Sequence, residues 1–141
     1  TLLDSLNKRI KFLDEVIRIN SLDGIETLHG RAEDYARDKN YREAFDVCVS
    51  RAVANLSTLS EYCLPYVKVG GVFISYKAGQ LDEELKASER AIKLLGGEIK
   101  EVHKLTLPDT DIDRTFVVIK KTAATSKKYP RKAGLPSKEP L

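Results

Sequence analysis

Two apolar periods take turns along this chain, and few folds accept that order. Strand-length apolar runs alternate with segments of helical period as far as Leu95, and two strand-length runs then follow in succession. Thr1 to Asp4 is a short apolar run ending in an acid. Leu6, Ile10, Leu13 and Ile17 then recur at helical spacing, with Ser5 placed to cap the helix. Ile25 to His29 alternates as a second strand, and Arg31 to Arg37 reads as a polar loop or short helix. Ala44 to Val49 is a third strand, ended by Ser50-Arg51, and the helix expected over Leu56 to Val67 should distort or stop early at Pro65. Gly70-Gly71 predicts a turn into Val72 to Tyr76, a nearly continuous apolar strand of the kind buried on both faces, which Lys77-Ala78-Gly79 breaks. Leu81 to Leu95 is the clearest helix, with Gly96-Gly97 as its stop signal. Glu98 to Leu107 and Thr115 to Lys120 flank a turn at Pro108 to Asp113 and predict an antiparallel hairpin. The order describes a three-layer α/β sheet finished by that hairpin.

Chemistry is limited first by what the chain lacks. No G-x-G-x-x-G or G-x-x-x-x-G-K stretch occurs in the 141 residues, although a doubly wound nucleotide-binding sheet normally opens with a strand and a Gly-rich turn. G-x-S-x-G and H-E-x-x-H are absent too, so hydrolase readings have no support. Cys48 and Cys63 stand apart without metal-ligand spacing and read as buried thiols. His29 and His103 have no second ligand near them, and no metal is expected. No apolar run is long enough to cross a bilayer, and the expectation is a cytoplasmic protein without a membrane partner.

Charge is unevenly placed. The net +3 conceals a body at −3, over residues 1–119, and a final stretch at +6. That stretch carries Lys120, Lys121, Lys127, Lys128, Arg131, Lys132 and Lys138 among Pro130, Pro136, Pro140, Gly134 and the aromatic Tyr129. The division expected is a body over residues 1–121 and a basic, Pro-rich tail over 122–141. The tail reads as a non-helical arm that orders on contact with a polyanion, through counterion release, or else as a solvated segment that aids solubility.

Four residues fall at the carboxyl ends of expected strands, the edge where open α/β sheets bind ligands. Asp4 could accept hydrogen bonds from ribose hydroxyls or favour the following helix dipole. Glu33, in Arg31-Ala32-Glu33, is a second acid at that edge or a solvated loop residue. Arg51 could hold a carboxylate or phosphate bidentately, or make an ordinary ion pair. Lys77 is the fourth.

Taken together, Leu2-Leu3-Asp4-Ser5 with Asn7-Lys8-Arg9 and Phe12-Leu13, then Arg31-Ala32-Glu33, then Ser50-Arg51-Ala52-Val53-Ala54, resemble the bacterial small-subunit ribosomal RNA guanine-N7 methyltransferases, also called glucose-inhibited division protein B. The closing Lys128-Tyr129-Pro130-Arg131-Lys132-Ala133-Gly134-Leu135-Pro136 resembles that family's basic C-terminal signature. The resemblance runs over essentially the whole chain. It implies a class I, Rossmann-like methyltransferase fold and S-adenosylmethionine as cofactor. Asp4, Ala32, Glu33, Arg51 and Lys77 are then cofactor-binding positions. It also implies small-subunit ribosomal RNA, or the small ribosomal subunit, as partner, with Lys127, Lys128, Arg131 and Lys132 contacting its phosphates. Catalytic residues and the oligomeric state are not set by these motifs. The family's N-terminal helices, first strand and Gly-rich loop would precede Thr1. Because that first strand is central, the chain is expected to be part of a longer protein, with a gap where the strand would lie. The competing expectation is a non-catalytic RNA-binding α/β module with a basic C-terminal arm.

Overall fold

The computed structural model describes residues 1–51, 54–78 and 81–141; Ala52 and Val53 of the third motif, and Gly79 of the expected strand break, lie outside the described residues. In chain order the elements are β1 (Leu2–Asp4), α1 (Asn7–Ile19), β2 (Thr27–His29), α2 (Ala32–Tyr35), β3 (Phe45–Ser50), α3 (Leu56–Cys63), β4 (Val67–Lys77), α4 (Asp82–Leu94), β5 (Gly97–Thr106), β6 (Asp113–Lys121) and α5 (Leu135–Lys138). Pro65 acts as expected: α3 stops at Cys63 and passes into a single 3-10 turn over Leu64–Tyr66. No helix among the described residues is long and apolar enough to cross a membrane.

Strands β1 and β2 pair in parallel as one small sheet, and a second sheet has the order β3-β4-β6-β5. There β3 and β4 are parallel, while β6 runs antiparallel between β4 and β5, which is the expected hairpin folded back beside β4. Side chains alternate along β6, so Thr115, Val117, Ile119 and Lys121 are buried on one face. Leu56, Leu59 and Leu64 from the α3 region and Ile92 and Leu95 from the α4 region meet Val67, Phe73, Val117 and Ile119 there to form the core. The other face is open. Val47 is 52% and Val49 57% exposed, and Tyr76 is exposed beside them, so the strand expected to be buried on both faces is packed on one.

Two local readings change. Gly70-Gly71 is not a turn between elements: β4 begins at Val67 and runs through both glycines. Its register with β3 slips between Phe45 and Val47, Gly70 has φ +91, and a Cβ on Gly71 would collide with the Asp46 carbonyl. The glycines mark a bulge. Ser5 does not cap α1. The N-cap position is Leu6, and Asp4 Oδ1 accepts the Leu6 N–H at 2.8 Å.

The largest difference is the tail, which packs on the body. Tyr129 is buried in the core cluster. The Arg42 guanidinium donates to the carbonyls of Ala36, Thr125, Ser126 and Tyr129. Arg37 Nη2 donates to Pro130 O at 2.7 Å, and Thr58 Oγ1 donates to Pro136 O at 2.9 Å. Arg131 meets Glu61, which is 0% exposed, through Nε and Nη2. Composition undercounts what such a segment can bury, because its apolar and hydrogen-bonding partners lie in α2, α3 and the loop before β3.

Candidate functional site

A cavity of about 610 Å³ lies between the two sheets, with Leu2, Leu3 and Leu28 on one side and Val47, Cys48 and Val49 on the other. Among the described residues β1 pairs with β2 and β3 with β4, and β1 does not pair with β3, so the expected gap lies between β1 and β3. The cavity reaches the carboxyl ends of β1, β2 and β3, where Asp4, Ser5, Arg31, Ala32, Glu33 and Ser50 line it.

Each of these positions is set locally. Asp4 ends β1, and its carbonyl accepts Gly30 N–H at 3.1 Å, tying the two strand ends together. Its carboxylate accepts Leu6 N–H and, at 3.2 Å, Arg9 Nη1. Burial opposes ionisation of Asp4, but these donors outweigh it and hold the carboxyl below its ordinary value. Ala32 opens α2, and its carbonyl accepts the Tyr66 hydroxyl at 2.6 Å; burial drives the Tyr66 pKa far up, so the phenol stays a donor. Glu33 is 4% exposed, and its Oε1 accepts the backbone N–H of Gly134 at 2.8 Å.

The cavity thus gathers Asp4, Ala32 and Glu33, and leaves two expected partners elsewhere. Arg51 is exposed just beyond β3 and does not line it. Lys77, with its side chain 9% exposed, donates to Ala54 O at 2.7 Å and to Glu84 Oε1 at 2.5 Å, and the same Glu84 oxygen accepts Leu56 N–H at 2.6 Å. It therefore acts through Glu84 on the start of α3. Lys127, Lys128 and Lys132 are exposed on the tail, Lys128 with its ammonium 5.2 Å above the Tyr129 ring. Arg131 differs from them, because Glu61 takes up its guanidinium.

Sequence spacing did not point to Tyr62, Gly134 and Ser137, which line the same cavity. The one available signal was Tyr129, an aromatic in a basic segment. Cys48 and Cys63 also line it. The interaction of the two thiols lowers the Cys48 pKa, while that interaction and burial push Cys63 up. His29 and His103 are exposed, and no cluster of three His, Cys, Asp or Glu able to hold a metal occurs among the described residues.

Apolar walls with an ionised carboxylate at a strand terminus suit a small ligand that has a flat face and hydroxyl groups. Parallel strands followed by an antiparallel strand inserted beside β4, with a cavity at their carboxyl ends, are the fold of class I methyltransferases. Solved structures agree on the fold. M. jannaschii TYW2 in complex with AdoMet superimposes with a TM-score of 0.60 at 13% identity, over 84% of this chain and 56% of that one. A mutant of MtNAS in complex with S-adenosylmethionine gives 0.57 at 19% identity, over 86% and 44%.

Sequence comparison is more specific. The GidB family model, rRNA small subunit methyltransferase G, matches residues 1–116, and the chain belongs to that family. Ribosomal RNA small subunit methyltransferase G of Alkaliphilus oremlandii is 57% identical over 141 residues, covering 100% of this chain and 59% of the relative. The Clostridium tetani protein of the same name is 54% identical over 140 residues, covering 99% of this chain and 59% of its own length. The chain therefore spans 59% of the length of these two curated relatives.

Proposed function

We propose that this chain is part of an S-adenosylmethionine-dependent methyltransferase that methylates N7 of a guanine in small-subunit ribosomal RNA. Membership in the rRNA small subunit methyltransferase G family carries the reading, and the cavity at the strand ends supports it. At about 610 Å³ it falls in the range of small-ligand pockets. The fit to the cofactor rests on the donor set. Asp4 is held ionised, and its oxygens retain lone pairs for ribose hydroxyls beyond the bonds from Leu6 and Arg9. Leu28 and Leu3 offer apolar contact to an adenine face.

When bound, S-adenosylmethionine supplies an electrophilic methyl group on a sulfonium. Guanine N7 presents a lone pair and no proton, so the transfer needs no general base. The protein's work is to align the two and exclude water. A-form RNA hides N7 in a narrow groove, so the target base is presented unpaired or flipped. In this reading Lys127, Lys128 and Lys132 meet backbone phosphates, and their exposure supports that role. A cytoplasmic setting follows from that substrate.

The slot between β1 and β3 belongs to the same reading. We assign it to a parallel strand, with its Gly-rich turn, from the part of the family's length that these residues do not cover. The test is isothermal titration of S-adenosylmethionine and S-adenosylhomocysteine into the 141-residue chain, beside a form extended upstream by the preceding coding sequence. Binding by the extended form alone is the expected result. Binding by neither overturns the cofactor assignment, and equal binding by both overturns the assignment of the slot.

A further inference from the structure

The C-terminal strap is anchored at both ends of a short, half-buried bend. Upstream, Arg131 grips buried Glu61, and its backbone N–H donates to Glu61 Oε1 at 2.7 Å. Downstream, Pro136 O accepts the Thr58 hydroxyl. Between these anchors Gly134 takes the left-handed backbone at φ +84, with open space where a Cβ would lie, and points its N–H at Glu33. Gly134 and Ser137 line the cavity that Asp4, Ala32 and Glu33 line.

Glu33 therefore has a structural partner that the strand-end pattern does not explain. Its carboxylate is nearly closed to solvent, and its hydrogen bond joins residues 101 positions apart. A carboxylate that accepts a backbone N–H at 2.8 Å is a strong, directional anchor. We infer that residues Gly134–Ser137 form a wall of the ligand cavity, and that Glu33 is a positioning residue that docks this wall instead of touching the ligand with its carboxylate. The inference rests on the cavity's being the cofactor site. The ligand class is a nucleoside thioether or sulfonium, for which S-adenosylhomocysteine is the probe.

A wall built from the strap makes ligand and strap stabilise each other, because each completes the other's contacts. The experiment uses the form of the protein that binds S-adenosylhomocysteine. Amide hydrogen exchange, measured on the unaltered protein with and without the probe, should slow at Gly134, Leu135 and Ser137 on binding. Titrations then compare Glu33→Gln and Glu33→Ala. The Gln side-chain oxygen still accepts the Gly134 N–H, so its affinity should stay within about threefold of the parent, whereas Ala should lose about tenfold or more. Ending the chain after Ala133 keeps Tyr129 and Arg131 and should also cost about tenfold.

If Glu33→Gln binds as weakly as Glu33→Ala, the positioning role is overturned in favour of a direct charge contact. If exchange at Gly134–Ser137 is unchanged by the probe, the wall is overturned, whether or not the variants fold. An unaltered protein that binds no S-adenosylhomocysteine in any form overturns the cofactor reading along with this proposal, while binding without a response of the strap overturns this proposal alone.

Discussion

Replacing Arg131 by Ala should destabilise the protein by about 3 kcal/mol, and the reason lies in Glu61 more than in the arginine. Glu61 sits in α3 with no exposed surface. In the parent protein its carboxylate receives Nε at 3.0 and 3.1 Å and Nη2 at 2.7 Å, with the Arg131 backbone N–H at 2.7 Å as a further donor. The substitution removes the guanidinium bonds and leaves an ionised group in the core with the backbone donor. Breaking a buried pair from one side costs ~3–5 kcal/mol, and the lower end applies because the Arg131 side chain keeps 21% of its surface in water. Unfolding entropy of about 2.1 cal/mol/K per residue, taken over 141 residues, makes 3 kcal/mol a fall of ~10 °C in Tm. Thermal unfolding followed by circular dichroism at neutral pH measures it, with Lys128→Ala as the comparison expected to move Tm little. The double variant Glu61→Leu/Arg131→Met removes the charge as well as its partner, and should recover most of the loss. A fall below about 3 °C for Arg131→Ala, or a double variant as unstable as the single one, would refute the argument from a stranded carboxylate.

A double-mutant cycle on Lys77→Met and Glu84→Gln, read by urea unfolding, should give a coupling of ~1–3 kcal/mol, since Lys77 and Leu56 N–H share one Glu84 oxygen. Burial lowers the Lys121 pKa despite Glu43 at 3.2 Å, so the folded chain binds fewer protons there than the unfolded one. Its contribution to stability is fully present above the ordinary lysine value near 10.5 and is lost as pH falls through the lowered value; Lys121→Met should remove that slope from stability measured against pH. Limited alkylation with iodoacetamide, read by mass spectrometry, should mark Cys48 before Cys63, because Cys48 is the partly exposed thiol and the one whose pKa is lowered. Gly96→Ala should lower Tm through its φ of +83 and a collision with the Ala123 carbonyl, whereas Gly24→Ala, with φ +70 and open space, should cost less.

What the sequence showed of the fold came from short-range pattern. The helical spacing of Leu6, Ile10, Leu13 and Ile17 located α1, and the apolar run before Ser50 located β3. Pro65 ended α3 where its missing N–H required. Gly70-Gly71 misled because a bulge and a turn ask for the same residues, and the strand partner decides between them. The tail misled for a related reason. By composition the seven cations of residues 120–141 form one class, yet Lys121 is fully buried between Leu64 O and Thr125 Oγ1, and Arg131 closes on Glu61, while Lys127, Lys128 and Lys132 remain in water. Composition records charge and not whether a carboxylate waits 70 positions away.

The candidate site divides in the same way. Asp4, Ala32 and Glu33 were legible because strand ends in open α/β sheets converge by topology, which a sequence of alternating periods already implies. Lys77 satisfied the same rule and still lies apart, since its stem is long enough to reach Glu84 across the start of α3. A strand-end rule fixes where a backbone stops, and the length and partners of each side chain decide whether it stays there. Gly134 reaches the cavity by neither route. It arrives because Arg42, Glu61 and Thr58 each hold one stretch of the returning chain, and each of those three reaches its partner in the strap across 70 or more positions. A cavity wall assembled that way becomes visible when the hydrogen bonds of the buried acids are traced to their donors.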